Sequence, residues 1–524
     1  MSHAASALPR KKLPLGIQTL AKLREEGCYY VDKSGLAIDL IASGSYFFLS
    51  RPRRFGKSLL VDTFKELFEG NRALFEGLAA ESRWDWSQRH PVIRISFSDG
   101  MLQSRAELDA RIHEILQDNE VALGVQCERR TVNGRFAELI RRVHERHGAP
   151  VAVLVDEYDK PILDNLTEPA RAAEMRDGLR NLYSVLKGAD PHLKFVFLTG
   201  VSKFSKVSLF SGLNNLHDIT LDARWSALCG YTDADLDTVF APELPGLDRD
   251  EIRRWYNGYN WLGVGVYNPF DVLLLFDSRQ FKAHWFDTGT PTFLVRLLAE
   301  QSWFTPDLAR LQADEMELMS FEVEQIGAVA LLFQAGYLSV HAAEETETRE
   351  LIYTLGYPNR EVEMSLNRVL LPGYGVPMRA ASLQRQALMR ALRERDGLGM
   401  ETALRALFAS IPSDWYRRNP LAGFEGHYAS VFYSHLAGLG LDLQVEDATN
   451  HGRIDLTLRL GAQVFLFEFK VVADAPEGHA LQQIRDKRYA EKYLGRGATV
   501  HLIGIEFSRT ARNVVGFEIE TLQG

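Results

Sequence analysis

The chain has 524 residues, 46% of them hydrophobic and 25% charged, and carries a formal net charge of -9. That length exceeds one hydrophobic core and predicts about three domains. The ordinary apolar and charged balance gives no sign of extensive disorder, and the acidic total leaves nucleic-acid binding to be argued from local sites alone. Cys28, Cys127 and Cys229 are far apart and form neither a CxxC pair nor a disulfide framework, as expected of a reducing cytoplasm. Arg10, Lys11 and Lys12 are followed by no apolar run, and no later stretch offers ~18 uninterrupted apolar residues. The expectation is a soluble, cytoplasmic protein with no membrane partner.

From Leu13 to Arg224, short apolar runs alternate with helical periodicity, the pattern of a parallel sheet covered by helices. Strands are predicted at Tyr46–Ser50, Val92–Phe97, Val151–Val155 and Phe195–Thr199. Helices are predicted at Ser58–Phe68, Arg105–Asn119, Gly134–His147 and Glu168–Lys187. Between the first strand and the first helix the chain reads SRPRRFGKSLL. Backbone N–H groups at a helix N-terminus, a flexible glycine, a lysine ammonium and a hydroxyl for Mg²⁺ together make a triphosphate cradle. Gly56, Lys57 and Ser58 supply these parts, flanked by Arg53, Arg54, Phe55 and Leu59. Arg51 stands where the usual motif has its first glycine, and with Arg53 and Arg54 it is expected to add positive charge at the pocket.

The third strand ends as VAVLVDEYDK. A carboxylate at the C-terminal end of a parallel strand holds hydrated Mg²⁺, and a second beside it polarises the attacking water. Asp156 takes the first role and Glu157 the second. An apolar run ending in an acid is by itself more often a plain strand end. Its pairing with the GKS loop carries the inference of ATP binding. Thr199, at the tip of the next strand, is a candidate sensor of the phosphates or else a threonine that satisfies a strand-end backbone group.

The segments LPLGIQTL, YYVDKSGL, FFLSRPRRFGKSLL, LFEGL, PVIRISFS, VDEYDKP and FLTGVSKFS resemble the AAA-ATPase-like proteins commonly fused to a PD-(D/E)xK nuclease domain. In that family the loop itself reads RPRRFGKS, so the resemblance makes Arg51 a family feature.

From about Trp225 to Leu404 the periodicity is helical, with WYNGYNW, VYNPFDVL and WFDTGTP, which also resemble family segments. Tyr-Asn-Gly and Asn-Pro form turns, and the aromatics are expected to pack one helix onto another rather than to cage a ligand. LLFQAGYLSV and LGYPNREV are assigned to the strands and helix of a winged-helix-like element. Arg379, Arg385, Arg390, Arg393 and Arg395 fall on a helical pattern that reads first as a solvated face and second as a nucleic-acid contact.

From about Arg405 to Gly524 the order is helix, three strands, helix, strand. Asp455 lies on the second strand of this domain and Glu468 on the third. Lys470 shares a face with Glu468, because residues i and i+2 of a strand point the same way. A hairpin can bring Asp455 opposite them. Two carboxylates hold Mg²⁺ or Mn²⁺, and the lysine orients water or stabilises phosphate charge; Glu425, on the preceding helix, is an auxiliary candidate ligand. A lone D…ExK is usually a surface salt bridge. Here Phe465, Leu466, Phe467 and Phe469 bury the strand on both faces, so its charges need a partner. The GRID, FEFK and ALQQI segments resemble the PD-(D/E)xK domain. That match puts Asp455, Glu468 and Lys470 in catalytic positions and Gln483 beside them, with Ile454-Asp455 in place of the usual Pro-Asp.

The fold expected is therefore α/β: a P-loop domain over 13–224, a helical, winged-helix-like region over 225–404, and a restriction-endonuclease-like α/β domain over 405–524. The function expected is ATP binding and hydrolysis joined to a Mg²⁺- or Mn²⁺-dependent nuclease acting on nucleic acid, DNA in the first instance, with homo-oligomerisation left open. The alternative is an ATP-gated switch or scaffold that binds nucleic acid without cutting it.

Overall fold

A computed structural model describes residues 9–203, 215–286, 298, 303–319, 327–412, 425–449, 451–494 and 498–523. The chain divides into two compact units, Met1–Gly289 with Gln312–Asn359, and Thr290–Leu311 with Arg360–Gly524. The stretch 225–404 is thus shared between them.

The first unit is built on five parallel strands in the order β2-β3-β4-β1-β5. They are β1 (Tyr46–Ser50), β2 (Val92–Ser96), β3 (Val151–Asp156), β4 (Leu193–Gly200) and the short β5 (His217–Asp218). Every residue of β1 and β3 is buried, as a parallel sheet covered on both faces requires. The covering helices are α1 (Lys57–Glu69), α2 (Arg105–Leu123), α3 (Val132–His147) and α4 (Pro169–Tyr183). The strands and first three helices lie within a few residues of their predicted positions; the fourth stops at Tyr183 and a separate short turn, Val185–Gly188, follows it. The order sets β4 between β1 and β3, so the ends of these three strands are neighbours.

Beyond the sheet, α5 (Pro269–Ser278) joins a second core in which Tyr29 and Val31 pack with Leu236, Phe240, Ile252, Tyr256, Tyr267 and Val272. In and around the segments expected to be winged-helix-like lie α6 (Ala328–Ala335) and a three-stranded sheet, β6-β8-β7, of β6 (Leu311–Asp314), β7 (Ser339–Glu345) and β8 (Leu351–Gly356). The LLFQA part of LLFQAGYLSV is thus the end of a helix, and only its last residues enter a strand.

The second unit contains α7 (Arg360–Leu370), α8 (Met378–Glu394), α9 (Gly397–Ala409) and α10 (Glu425–Ala437). Its five-stranded mixed sheet has the order β13-β12-β11-β10-β9. The strands are β9 (Asp442–Thr449), β10 (Gly452–Leu460), β11 (Gln463–Val472), β12 (Thr499–Ser508) and β13 (Asn513–Gln523), with α11 (His479–Asp486) between β11 and β12. Only β11 and β12 run parallel. β13 is a correction to the predicted order, which stopped at β12. It is an edge strand whose residues are mostly half-exposed or exposed, so it lacks the apolar run that marks its neighbours. Among the described residues no helix is long and apolar enough to cross a membrane.

Candidate functional site

The chain leaves β1 and enters α1 through the loop Arg51–Gly56. Gly56 has φ 88°, a left-handed conformation open to glycine at little cost, and Arg54 also has positive φ. Lys57 opens the helix, is 7% exposed, and donates from Nζ to the carbonyls of Arg51 and Pro52, both at 2.9 Å. Burial lowers its pKa, against the opposing pull of the Asp156 and Asp159 carboxylates. Arg53, Arg54, Phe55, Gly56, Lys57, Ser58 and Leu59 all line one cleft of about 610 Å³.

Arg51 does not add charge to that cleft, contrary to expectation. It is completely buried. Its Nη1 donates to the carbonyls of Ser50 and Thr220 at 2.8 and 3.0 Å, and Nη2 donates to that of Trp225 at 3.3 Å. Its guanidinium lies 3.9 Å from the centre of the Trp261 ring, and burial lowers its pKa to about 10. Phe55 meets Tyr259 and Trp261 edge-on at 4.8 and 5.5 Å. Tyr259 and Trp261 of WYNGYNW therefore brace the loop, whereas Trp255 and Tyr256 pack their helix against α5 as expected. Arg54 remains at the cleft, stacked 4.0 Å over Phe270.

Asp156 ends β3, is 2% exposed and accepts the Glu157 N–H at 3.0 Å. Glu157 itself has φ 51°, a sparsely populated conformation for a non-glycine residue of the kind that collects at functional positions. Burial raises its pKa, and the neighbouring Asp156 charge adds to the rise. Glu157 lines the cleft. Thr199 is fully buried and its hydroxyl donates to the Leu49 carbonyl at 2.8 Å, tying β4 to β1. Sequence reasoning missed Asp159, whose carboxylate accepts the Val201 and Ser202 N–H groups and the Ser202 hydroxyl. It also missed the apolar part of the cleft's lining, Ile17, Tyr30, Tyr231 and Phe270. Asp159, Ile17, Tyr30 and Phe270 lie in segments noted for resemblance and Tyr231 outside them, and only the fold brings the five to one cleft.

In the second unit a tight turn at Gly461 (φ 61°) closes the β10–β11 hairpin at the Leu460–Gln463 pair. The register runs back to Leu456 opposite Phe467, and the next step sets Asp455 against Glu468. There the ladder opens, and the Asp455 carboxylate instead accepts the Phe469 N–H at 2.8 Å. Glu468 is fully buried. Its Oε1 accepts from Lys470 Nζ at 3.2 Å and from the Gln483 side-chain amide. Its Oε2 is buried with no partner. Burial, then the Asp455 charge, push its pKa up to about 7 against the pull of Lys470.

The structure thus brings together Asp455, Glu468, Lys470 and Gln483. Glu425 opens α10, but its side chain lies outside the described residues. A group of three or more His, Cys, Asp or Glu placed to hold a metal does not occur among the described residues. Two carboxylates nevertheless suit Mg²⁺, which keeps several waters, and the bare Glu468 oxygen is a position where a cation answers the cost of burial. Sequence reasoning missed Tyr489, 2% exposed, whose pKa is raised by burial and then by the Glu468 charge. It also missed Glu506, whose carboxylate accepts the N–H groups of Glu477, Gly478, His479 and Ala480. That cap holds the start of α11, the helix that carries Gln483.

Comparison with known proteins divides the chain along the same lines. Residues 14–210 match the model of a predicted AAA-ATPase family, and residues 423–517 match that of the PD-(D/E)XK nuclease superfamily. A protein of Azotobacter chroococcum mcd 1, described as an uncharacterized protein in the vnfD 5' region, is 59% identical over 518 residues, covering 98% of this chain and all of its own length. No solved structure matches the chain.

Proposed function

The chain belongs to the predicted AAA-ATPase family with a PD-(D/E)XK nuclease superfamily domain toward its C-terminus, and from that premise we propose that it couples ATP binding and hydrolysis to metal-dependent cleavage of DNA. In the first unit, the backbone N–H groups at the start of α1 and the Lys57 ammonium hold the phosphates. Lys57 now meets only carbonyl oxygens, weaker partners for an ammonium than phosphate oxygens. Arg53 and Arg54 add charge at the cleft, and the apolar lining of Ile17, Tyr30, Tyr231 and Phe270 offers a planar base an apolar seat. Ser58 and Asp156 hold Mg²⁺, and Glu157, with its raised pKa, polarises the attacking water.

In the second unit, Asp455 and Glu468 hold Mg²⁺ or Mn²⁺, with Glu425 as an auxiliary ligand. A divalent cation bound there lowers the pKa of its water and draws charge from the phosphoryl oxygen. Lys470 stabilises the negative charge that develops on the phosphate, and Gln483 fixes the orientation of Glu468. The observation that carries this reading is the buried, unpartnered Glu468 Oε2 beside Asp455 and Lys470. Incubating the protein and supercoiled plasmid with Mg²⁺ or Mn²⁺ and with EDTA tests it. Nicking or linearisation in the metal tubes alone is expected. Retarded but intact plasmid in every tube would replace nuclease action with an ATP-gated switch that binds DNA without cutting it.

A further inference from the structure

Five arginines of the region before the nuclease-like sheet read from sequence as a solvated helix face, and the structure sorts them. Arg385, Arg390 and Arg393 fall on one stripe of α8, and with Arg368 of α7 they line a groove of about 610 Å³. Ala381, Leu388, Ala391 and Leu392 face inward from the same helix, so the stripe is fixed by packing. Arg379 and Arg395 do not line the groove. Gly438, just past the end of α10, closes the groove and accepts a hydrogen bond from Arg368 Nε at 2.7 Å. Glu394 is the single carboxylate in the lining.

Three of these four cations have no hydrogen bond or ion pair among the described residues: Arg385, Arg390 and Arg393. Arg385 is half-buried, and its pKa is lowered by burial and then by the Arg368 charge. Four like charges held together with a single carboxylate among them raise the energy of the empty groove, and a row of anions relieves it. A salt-bridged surface helix has no such demand. Elsewhere in the chain exposed arginines do pair, as Arg141 does with Glu145 at 2.7 Å.

The place of the groove names the anion. Gly426, Ala429 and Tyr433 of α10 line a smaller pocket, about 190 Å³, with Asp455, while the same helix ends at the arginine groove. From Ala429 to Gly438 is about 14 Å at 1.5 Å per residue. A DNA strand rises about 3.4 Å per phosphate, so that interval spans about four base pairs. We propose that the groove of Arg368, Arg385, Arg390 and Arg393 is a phosphate track that holds the DNA backbone about four base pairs from the phosphate cleaved at Asp455 and Glu468. This deepens the nuclease reading and rests on it. Such a track positions the duplex and carries no sequence information.

The test measures binding of a fluorescent 24-base-pair duplex by anisotropy, against KCl concentration, in the cleavage-deficient Asp455→Asn protein. Adding Arg385→Gln, Arg390→Gln and Arg393→Gln is expected to flatten the slope of log K on log salt by about 2 to 3, at about 0.9 per lost phosphate contact. Replacing the same three by Lys should restore most of the slope, and Arg379→Gln with Arg395→Gln should change it by less than one. In protein with Asp455 intact, the Gln triple variant should raise KM for duplex while kcat stays near the parent value. An unchanged slope in the Gln variant, or an equal loss in the off-groove control, overturns the track while the nuclease reading stands if the parent still cleaves. A parent that neither binds nor cleaves duplex overturns both.

Discussion

At the scale of single residues, the two charges flanking Glu468 do different work. Asp455 is a metal ligand in our reading and Lys470 is not, although both lie within a few ångströms of the same carboxylate. Asp455→Asn removes an anionic ligand and should weaken Mn²⁺ binding severely. Lys470→Ala should leave that affinity within a few-fold of the parent, because what it removes is charge stabilisation in the transition state. Both should lower the cleavage rate, on the order of 10²–10³-fold for a lost electrostatic stabiliser. Calorimetric Mn²⁺ titration separates them, and equal losses of metal affinity would contradict the assignment. Arg51 gives the same lesson in the other unit. Its guanidinium fork reaches three backbone carbonyls and stacks on Trp261, geometry that a single ammonium cannot reproduce. Arg51→Lys should therefore destabilise the first unit by about 2–4 kcal/mol through carbonyls left unpaired. Urea denaturation followed by tryptophan fluorescence would show it, and a midpoint equal to the parent's would remove the brace from the account.

At the scale of elements, α11 is held at its N-terminus by a carboxylate from a neighbouring strand. Burial pulls the Glu506 pKa up, but the four backbone N–H groups outweigh it and hold the carboxyl below its ordinary value. A depressed folded-state pKa contributes stability that is complete above the unfolded value, about 4.3, and is lost as pH falls through the folded value. Glu506→Gln should thus cost about 1.5–3 kcal/mol at neutral pH, and the gap in melting temperature between variant and parent should close below about pH 4. A gap that stayed constant down to pH 3 would show that the charge is not what holds the helix. This cap also marks where sequence legibility ended. β1, β3, β4 and the β10–β11 hairpin could be read because apolar runs, a GKS turn and the i, i+2 rule are local signals. β13 could not, since its half-exposed edge has no apolar run. The contact of Arg51 with Trp261 and the cap of Glu506 on residues 477–480 join positions far apart in sequence, which no local pattern encodes. Among the candidate site residues, the shared face of Glu468 and Lys470 was legible from strand periodicity and the catalytic positions from the resemblance, whereas the place of Tyr489 near Glu468 required the fold.

At the scale of the whole molecule, two chemistries on one chain raise the matter of whether one governs the other. Each has its own unit, and coupling between them is a free energy that must come from different affinities of ATP for two states of the protein. Glu157 offers a way to hold one state. It lines the cleft beside Asp156, and in our reading it acts on water, not on the nucleotide. Glu157→Gln should therefore bind ATP and Mg²⁺ with near-parent affinity, since Lys57, Ser58 and Asp156 remain, yet hydrolyse ATP about 10²–10⁴-fold more slowly. The protein would then dwell in its ATP-bound state. If that state sets nuclease activity, the variant's plasmid cleavage rate with ATP should differ from its rate without ATP by at least several-fold, the scale of a coupling free energy of 1–3 kcal/mol. The parent, which in our reading turns ATP over, should fall between the two. Lys57→Ala, which removes the phosphate-contacting ammonium, should cleave at the ATP-free rate whether or not ATP is added. Equal rates for Glu157→Gln in all conditions would mean that the two sites share a chain without sharing an equilibrium.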